Sequence, residues 1–464
     1  MAHFAAISLA LVFGAQHAAA SAYYFVRTDL PAYTFQTMYL WYVHSVEDAV
    51  SKASGSPTVT FDLKLTGVAG SDHDRYVGHQ AFVMPQSTLD ERVDLNSWCA
   101  FPEENGPGQF RFKGGENDVR AVGFKITGRK QRVTMSLPLN GRSEVYVLAI
   151  SNCWEKPGTD MKLEGTVAVK NPHGYLPATE YPRRVFYAVM AIVYIAATSA
   201  WAFVCLPRWQ SLLTIQKGIL AVGIAGALEN IFFFVMYEIW NLSGDQYQIF
   251  CLLAMYCSSW KLMEAFSVLL VVPIAECLPS VHTDDASPQF WLQALLSLYM
   301  VAEFNAGAVQ GYRLSHSLQI DYILLNVAPA VLLSLGLYAW ANRSLLATVA
   351  TLKEPAPTHA EAFFRSHVLV IISMVGACFA VGAEVLDPTT SEAATWSTHW
   401  LCAGGVRQIL FLVLFASAMA IWFPRHELTG YEYEQPGNEE AGQMIGIMEE
   451  VEALPDEEGE AAHE

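Results

Sequence analysis

Two hydrophobic periods divide the chain. Between residues 23 and 180, apolar positions recur at every second residue. Val59, Phe61, Leu63 and Leu65 alternate with polar partners, as do Val133, Met135 and Leu137, and again Val145, Val147 and Ala149. Such alternation marks strands with one buried face, and turn signals such as Asn140-Gly141 separate the runs. Several short strands joined by turns predict an antiparallel β-sandwich around one core. From residue 181 the alternation gives way to long apolar stretches at 185–206, 219–240, 250–275, 290–310, 322–341, 367–386 and 401–423. Each is long enough to cross a bilayer as a helix, which takes about 20 residues. Seven membrane-spanning helices are therefore expected, the fourth being the least apolar because Glu303 and Asn305 interrupt it.

The two ends differ from both regions. A short apolar run over residues 5–13, followed by Ala18-Ala19-Ala20-Ser21-Ala22, has the length and small-residue chemistry of a secretory signal peptide. Cleavage after Ala20 or Ala22 is expected, a retained apolar helix being the alternative. Composition then changes the picture at the other end. The chain is 53% hydrophobic and 16% charged, yet carries a net −18. From Glu427 to Glu464 there are thirteen acidic side chains and no Lys or Arg, so the acidity belongs to the tail. A polar acidic tail poor in aromatics is expected to be disordered. Like charge repels it from nucleic acid and anionic lipid, so no nucleic-acid partner is expected. The resulting plan is a signal peptide over 1–22, a lumenal sandwich over 23–180, a seven-helix bundle over 181–425 and a cytosolic tail over 426–464.

The orientation follows from the cleaved signal, which leaves the first span entering from the lumen. Arg208, Lys217, Arg343, Lys353, Arg365 and Arg425 then fall on the cytosolic side, against Arg183, Arg184 and Arg313 on the lumenal side. That bias agrees with the positive-inside rule. Asn241-Leu242-Ser243 is a glycosylation sequon in an expected lumenal loop. Cys99 and Cys153, each beside a Trp, sit on separate lumenal segments, where an oxidising compartment favours one disulfide. Two buried free thiols are the alternative.

Five ionisable residues fall within the spans: Glu229, Lys261, Glu264, Glu303 and Arg407. Each is costly in hydrocarbon unless it faces the bundle interior, a partner or water. By depth, Glu229 matches Lys261 and Glu303 matches Arg407, while Lys261 and Glu264 share one helical face. Such pairs either hold the bundle together or line a polar cavity that takes a head group or an ion. Enzyme chemistry has little support. There is no G-x-S-x-G, no H-E-x-x-H and no phosphate-cradling glycine loop. No Lys follows Lys353 to hold retinal, and His316, His367 and His399 are isolated. No metal and no cofactor is expected.

The order of parts, with specific residues in the spans, resembles a known family. Asn171-Pro172-His173-Gly174-Tyr175-Leu176-Pro177-Ala178-Thr179-Glu180-Tyr181-Pro182 looks like its linker. Ala227-Leu228-Glu229, Lys261, Glu303, Val406-Arg407-Gln408-Ile409-Leu410-Phe411 and Trp422-Phe423-Pro424 follow in the helices. Together they resemble the GOLD-domain seven-helix transmembrane (GOST) proteins, also called lung seven-transmembrane receptors, and most of all the transmembrane protein 87 branch. The resemblance implies a GOLD-like lumenal sandwich, a lipid-accessible bundle cavity, residence in the Golgi and a role in endosome-to-Golgi traffic. It implies a lipid in the cavity and a lumenal protein cargo or partner, and it carries the cavity acids and bases over to Glu229, Lys261, Glu303 and Arg407. A cation channel or transporter is the alternative within that family, and a signalling receptor the third.

Overall fold

A computed structural model describes residues 22–30, 34–43, 55–67, 78–92, 99–100, 108–112, 122–137, 143–153, 161–277, 287–313, 320–353, 357–386 and 400–424. The signal-peptide region up to residue 21, the Asn140-Gly141 turn, His316, His399 and the acidic tail lie outside the described residues.

Among the described residues the β-region forms ten strands: β1 (Ala22–Leu30), β2 (Thr34–Val43), β3 (Thr58–Gly67), β4 (His79–Pro85), β5 (Cys99–Ala100), β6 (Gln109–Phe110), β7 (Val122–Lys125), β8 (Lys130–Ser136), β9 (Glu144–Asn152) and β10 (Met161–Lys170). One antiparallel sheet has the order β1-β10-β3-β8, a second β2-β9-β4-β7, and β5 pairs with β6. Val59, Phe61, Leu63 and Leu65 from the first sheet and Trp41, Ala81, Tyr146, Leu148 and Ile150 from the second meet in one core. Met135 and Leu137 join it, as their alternation predicts, and Val133 packs against its edge.

β9 departs from the sequence reading. Its core-facing residues are Tyr146, Leu148 and Ile150, not Val145, Val147 and Ala149. Both faces of β9 are buried, because a second cover lies over the outer side of β4 and β9. That cover is the short helix α1 (Gln86–Arg92) together with the β5–β6 hairpin, whose Phe110, with Phe112 beside it, clusters with Phe82, Met84 and Ala149 of β4 and β9. The Cys99–Cys153 disulfide fastens the hairpin to the end of β9, with Cα atoms 5.6 Å apart. Beside it the Gly108 amide donates to the Cys153 carbonyl at 3.0 Å.

Among the described residues seven α-helices follow: α2 (Tyr181–Cys205), α3 (Thr214–Ser243), α4 (Gln248–Cys277), α5 (Ser287–Arg313), α6 (Ile320–Leu352), α7 (Pro357–Leu386) and α8 (Val406–Ile421). Each coincides with one of the seven expected spans. Among the described residues, α2 to α7 are long and apolar enough to cross a membrane; α8 is shorter and is preceded by a π turn at Leu401–Gly405. Consecutive helices pack side by side from α2 through α8, and α8 returns to α2 and α3 to close the ring. The outer surface is apolar, with Phe203 83% and Leu325 74% exposed. Among the β-region residues whose side-chain burial is described, by contrast, no large hydrophobic one is exposed. That reversal is what a bilayer around the helices, and not the strands, requires.

The joint between the two parts is built from the linker. Asn171 and Gly174 exchange backbone hydrogen bonds, and the Tyr175 amide donates to the Asn241 carbonyl at 2.9 Å. Asn241 Nδ2 donates to the His173 carbonyl at 2.8 Å, and its Oδ1 accepts from the Leu176 amide at 3.3 Å. Gly174 has φ 137°, a conformation L side chains rarely adopt, and a Cβ there would run into Asn241. α3 ends just beyond, where Gly244 takes the left-handed conformation and caps the helix.

Candidate functional site

The site begins with one acid in the middle of an apolar helix. Glu229 lies near the centre of α3 and is 0% exposed. A carboxylate there is stable only with partners, and two helices supply them. Lys261 of α4, 2% exposed, forms an ion pair with Glu229. Gln408 of α8, 5% exposed, donates from Nε2 to Glu229 Oε1 at 2.6 Å and accepts from Lys261 Nζ at 3.2 Å. The three side chains close a triangle joining α3, α4 and α8. The Lys261 ammonium also lies 4.4 Å from the centre of the Phe411 ring, within cation–π range. Depth along the helices predicts the Glu229–Lys261 pair; Gln408, the third member, was missed as a site residue. A lone amide in an apolar stretch is the signal that could have found it.

Phe411 is shared with a second feature. On its other side a cavity of about 350 Å³ opens between α3 to α8. Its walls are largely apolar, including Ile219, Phe266, Val331, Leu369 and Phe415. Glu303 of α5 and Arg407 of α8 both line it, together with Tyr299. Adjacent residues of α8 thus divide their work: Arg407 faces the cavity and Gln408 the buried triad. From Arg407 the cavity follows α8 to Trp422, a run of about 22 Å at 1.5 Å per residue. At the Trp422 end the indole donates to Ser366 Oγ at 2.9 Å, while Gln216 Nε2 donates to the Trp422 carbonyl at 3.2 Å. A further hydrogen bond between Tyr338 and Ser373, 2.7 Å long, ties α6 to α7 along the wall.

The remaining expected residues fall elsewhere. Glu264 is half-buried in the membrane region but does not line the cavity; its carboxylate sits beside Gly218 of α3. Cys99 and Cys153 are bonded. Asn241 lies in the linker joint. It is 4% exposed, and its amide nitrogen is engaged in the linker joint, so in this conformation a glycan has no access to it. Among the described residues, no three His, Cys, Asp or Glu side chains gather in a way that could hold a metal ion.

Comparison with known proteins places these features in context. The family profile described as "GOST, seven transmembrane domain" matches residues 182–428. Transmembrane protein 87A of Xenopus tropicalis is 27% identical over 265 residues, covering 56% of this chain and 48% of the relative. Transmembrane protein 87B of Mus musculus is 24% identical over 311 residues, covering 66% of this chain and 55% of the relative. Membrane protein PTM1 of Saccharomyces cerevisiae strain YJM789 is 20% identical over 282 residues, covering 58% and 53%. The chain spans about half the length of the curated relatives it matches.

Proposed function

The chain belongs to the GOST seven-transmembrane family, in the branch of transmembrane protein 87, and on that premise we propose that it is a non-enzymatic endomembrane protein that binds a hydrophobic ligand in its bundle cavity. The observation that carries this reading is the cavity itself. Its volume of about 350 Å³ falls within the range of ligand pockets, roughly 300–1,000 Å³. Its walls suit an acyl chain or an apolar segment of a cargo protein. Glu303 and Arg407 provide a polar group of either sign for a head group.

In this proposal the β-region is a GOLD-like sandwich on the lumenal side, where it meets a protein cargo or partner, and the acidic tail faces the cytosol. The Golgi is the site of action, and transport between endosomes and Golgi is the process supported. The Asn241 joint gives the lumenal part a fixed attachment through which a partner could act on the helices.

The buried triad bears on the cation-channel alternative. Glu229 and Lys261 neutralise one another and are closed off by Gln408, which leaves no unneutralised charge in the triad to attract ions. The ligand-binding reading therefore expects no cation current from the purified protein in planar bilayers. Cation currents abolished by Glu229→Gln would contradict it and select the channel. A ligand-dependent G-protein response would select the signalling receptor.

A further inference from the structure

The β-region carries a charge pattern that neither its core nor the helix bundle explains. In a chain of net −18, the stretch between Asp118 and Glu144 contains six Lys or Arg and no acidic residue. Three of them fall within Arg129-Lys130-Gln131-Arg132, and Lys125 comes just before. The side chains of Lys125, Arg129, Lys130 and Arg132 are all exposed.

The fold turns this stretch into a rim. Among the described residues, β7 is an end strand of the second sheet and β8 an end strand of the first. The turn between them carries the chain from one sheet edge to the other. Phe124 packs against the core, so by alternation Lys125 points out of the second sheet. Val133 and Met135 face the core, so Lys130 and Arg132 lie on the outer face of the first sheet. At two residues' spacing they stand about 7 Å apart.

The rim is held in place. Gln131 Oε1 accepts from the Thr127 amide at 3.0 Å, and its Nε2 donates to the Lys125 carbonyl at 3.3 Å. The Leu65 amide donates to the Arg129 carbonyl at 2.8 Å, and the Ile126 amide to the His79 carbonyl at 3.0 Å. Cations on a fixed backbone lose less freedom on binding than cations on a loose loop. Of the acids on the same face, Glu164 is engaged by Lys64 at 3.4 Å, and Asp62 stands cross-strand from Arg132. The rim keeps a positive excess.

Charge on an edge strand also discourages pairing with another chain. Either sign would fill that role, and here only one occurs. A protein partner docks on aromatic or apolar anchors, and a single-stranded nucleic acid stacks on aromatic rings. Among the β-region residues whose side-chain burial is described, no large hydrophobic one is exposed to serve either. The bilayer surface is a poor match as well. Lys130 is level with Lys64 and Glu164, six residues before Lys170 at the linker. That is about 20 Å along the strand, beyond the screening length of about 8 Å at physiological ionic strength. A dissolved polyanion fits best, because arginine forks and lysine ammoniums bind tetrahedral oxyanions by charge-assisted hydrogen bonds.

We propose that the β7–β8 rim binds a sulfated glycosaminoglycan, with Lys125, Arg129, Lys130 and Arg132 contacting its sulfate groups. The site lies outside the bundle, and nothing in it depends on the cavity ligand.

The test passes the full chain, purified in neutral detergent, over immobilised heparin. Affinity should fall with rising salt, with a double-logarithmic slope of about −3 from counterion release. Lys130→Gln with Arg132→Gln should weaken binding about tenfold and flatten the slope by about two. Both side chains are exposed, so the melting temperature should stay at the wild-type value. Lys170→Gln with Arg208→Gln removes the same charge away from the rim and should change affinity by less than about twofold. An equal loss in both double variants would assign binding to overall charge and overturn the site. Failure of wild type to bind heparin would overturn it outright. Desulfated heparin that binds as tightly as heparin would contradict the sulfate contacts. Displacement of heparin by phosphatidylserine vesicles or polyglutamate at lower charge concentration would give the rim to a membrane or an acidic protein instead.

Discussion

At the scale of single residues, the strongest constraint is the buried charge on Glu229. Lys261→Met strands that carboxylate at 0% exposure, and breaking a buried pair from one side costs about 3–5 kcal/mol. Adding Glu229→Gln removes the stranded charge, so the double variant should recover more than half of the loss. Unfolding in detergent, read as a double-mutant cycle, measures this; additive losses would mean that the two side chains do not act as a pair. Asn241 makes a second residue-scale prediction. Because its amide holds the linker joint, enzymatic deglycosylation should cause no mobility shift attributable to this site. Gly174→Ala, which forces a Cβ towards Asn241, should lower the melting temperature of the full chain. A melting temperature equal to wild type would show that the joint tolerates the side chain.

At the scale of elements, the β5–β6 hairpin depends on its disulfide. The Cys99–Cys153 bond closes 54 residues of sequence separation, worth about 4 kcal/mol in the chain-entropy account. Cys153→Ser should therefore free the hairpin from β4 and β9, and limited proteolysis should cut near residues 99–112 first. Cleavage at wild-type rates would show that Phe82, Phe110 and Phe112 hold the cover unaided.

Elements were also the most legible level of the sequence. Alternation located β3 and β8, and seven apolar stretches located seven helices, because each periodicity is written by the element's own geometry. β9 was misread because a strand buried on both faces has no polar face to set its phase. The site was less legible still. Depth along a span can match Glu229 with Lys261, but it cannot say which helices are neighbours. Gln408 emerges only when α8 closes against α3 and α4. A sequon records three residues and not the linker that packs onto Asn241.

At the scale of the whole molecule, a β-region with a well-covered core is fastened to a helix ring whose outside is apolar and whose inside contains a cavity. The proposed residence is checked by tagging the chain and imaging it against Golgi and plasma-membrane markers. Golgi signal is expected, and plasma-membrane residence with none in the Golgi would contradict the trafficking proposal. The central claim is that the cavity takes a hydrophobic ligand, and native mass spectrometry of the full chain released from membranes tests it most directly. The account predicts a bound lipid adduct on wild type that is lost when Val331→Trp fills the cavity while the folded protein persists. A chain that carries no adduct, or one that Val331→Trp leaves undiminished, would contradict it.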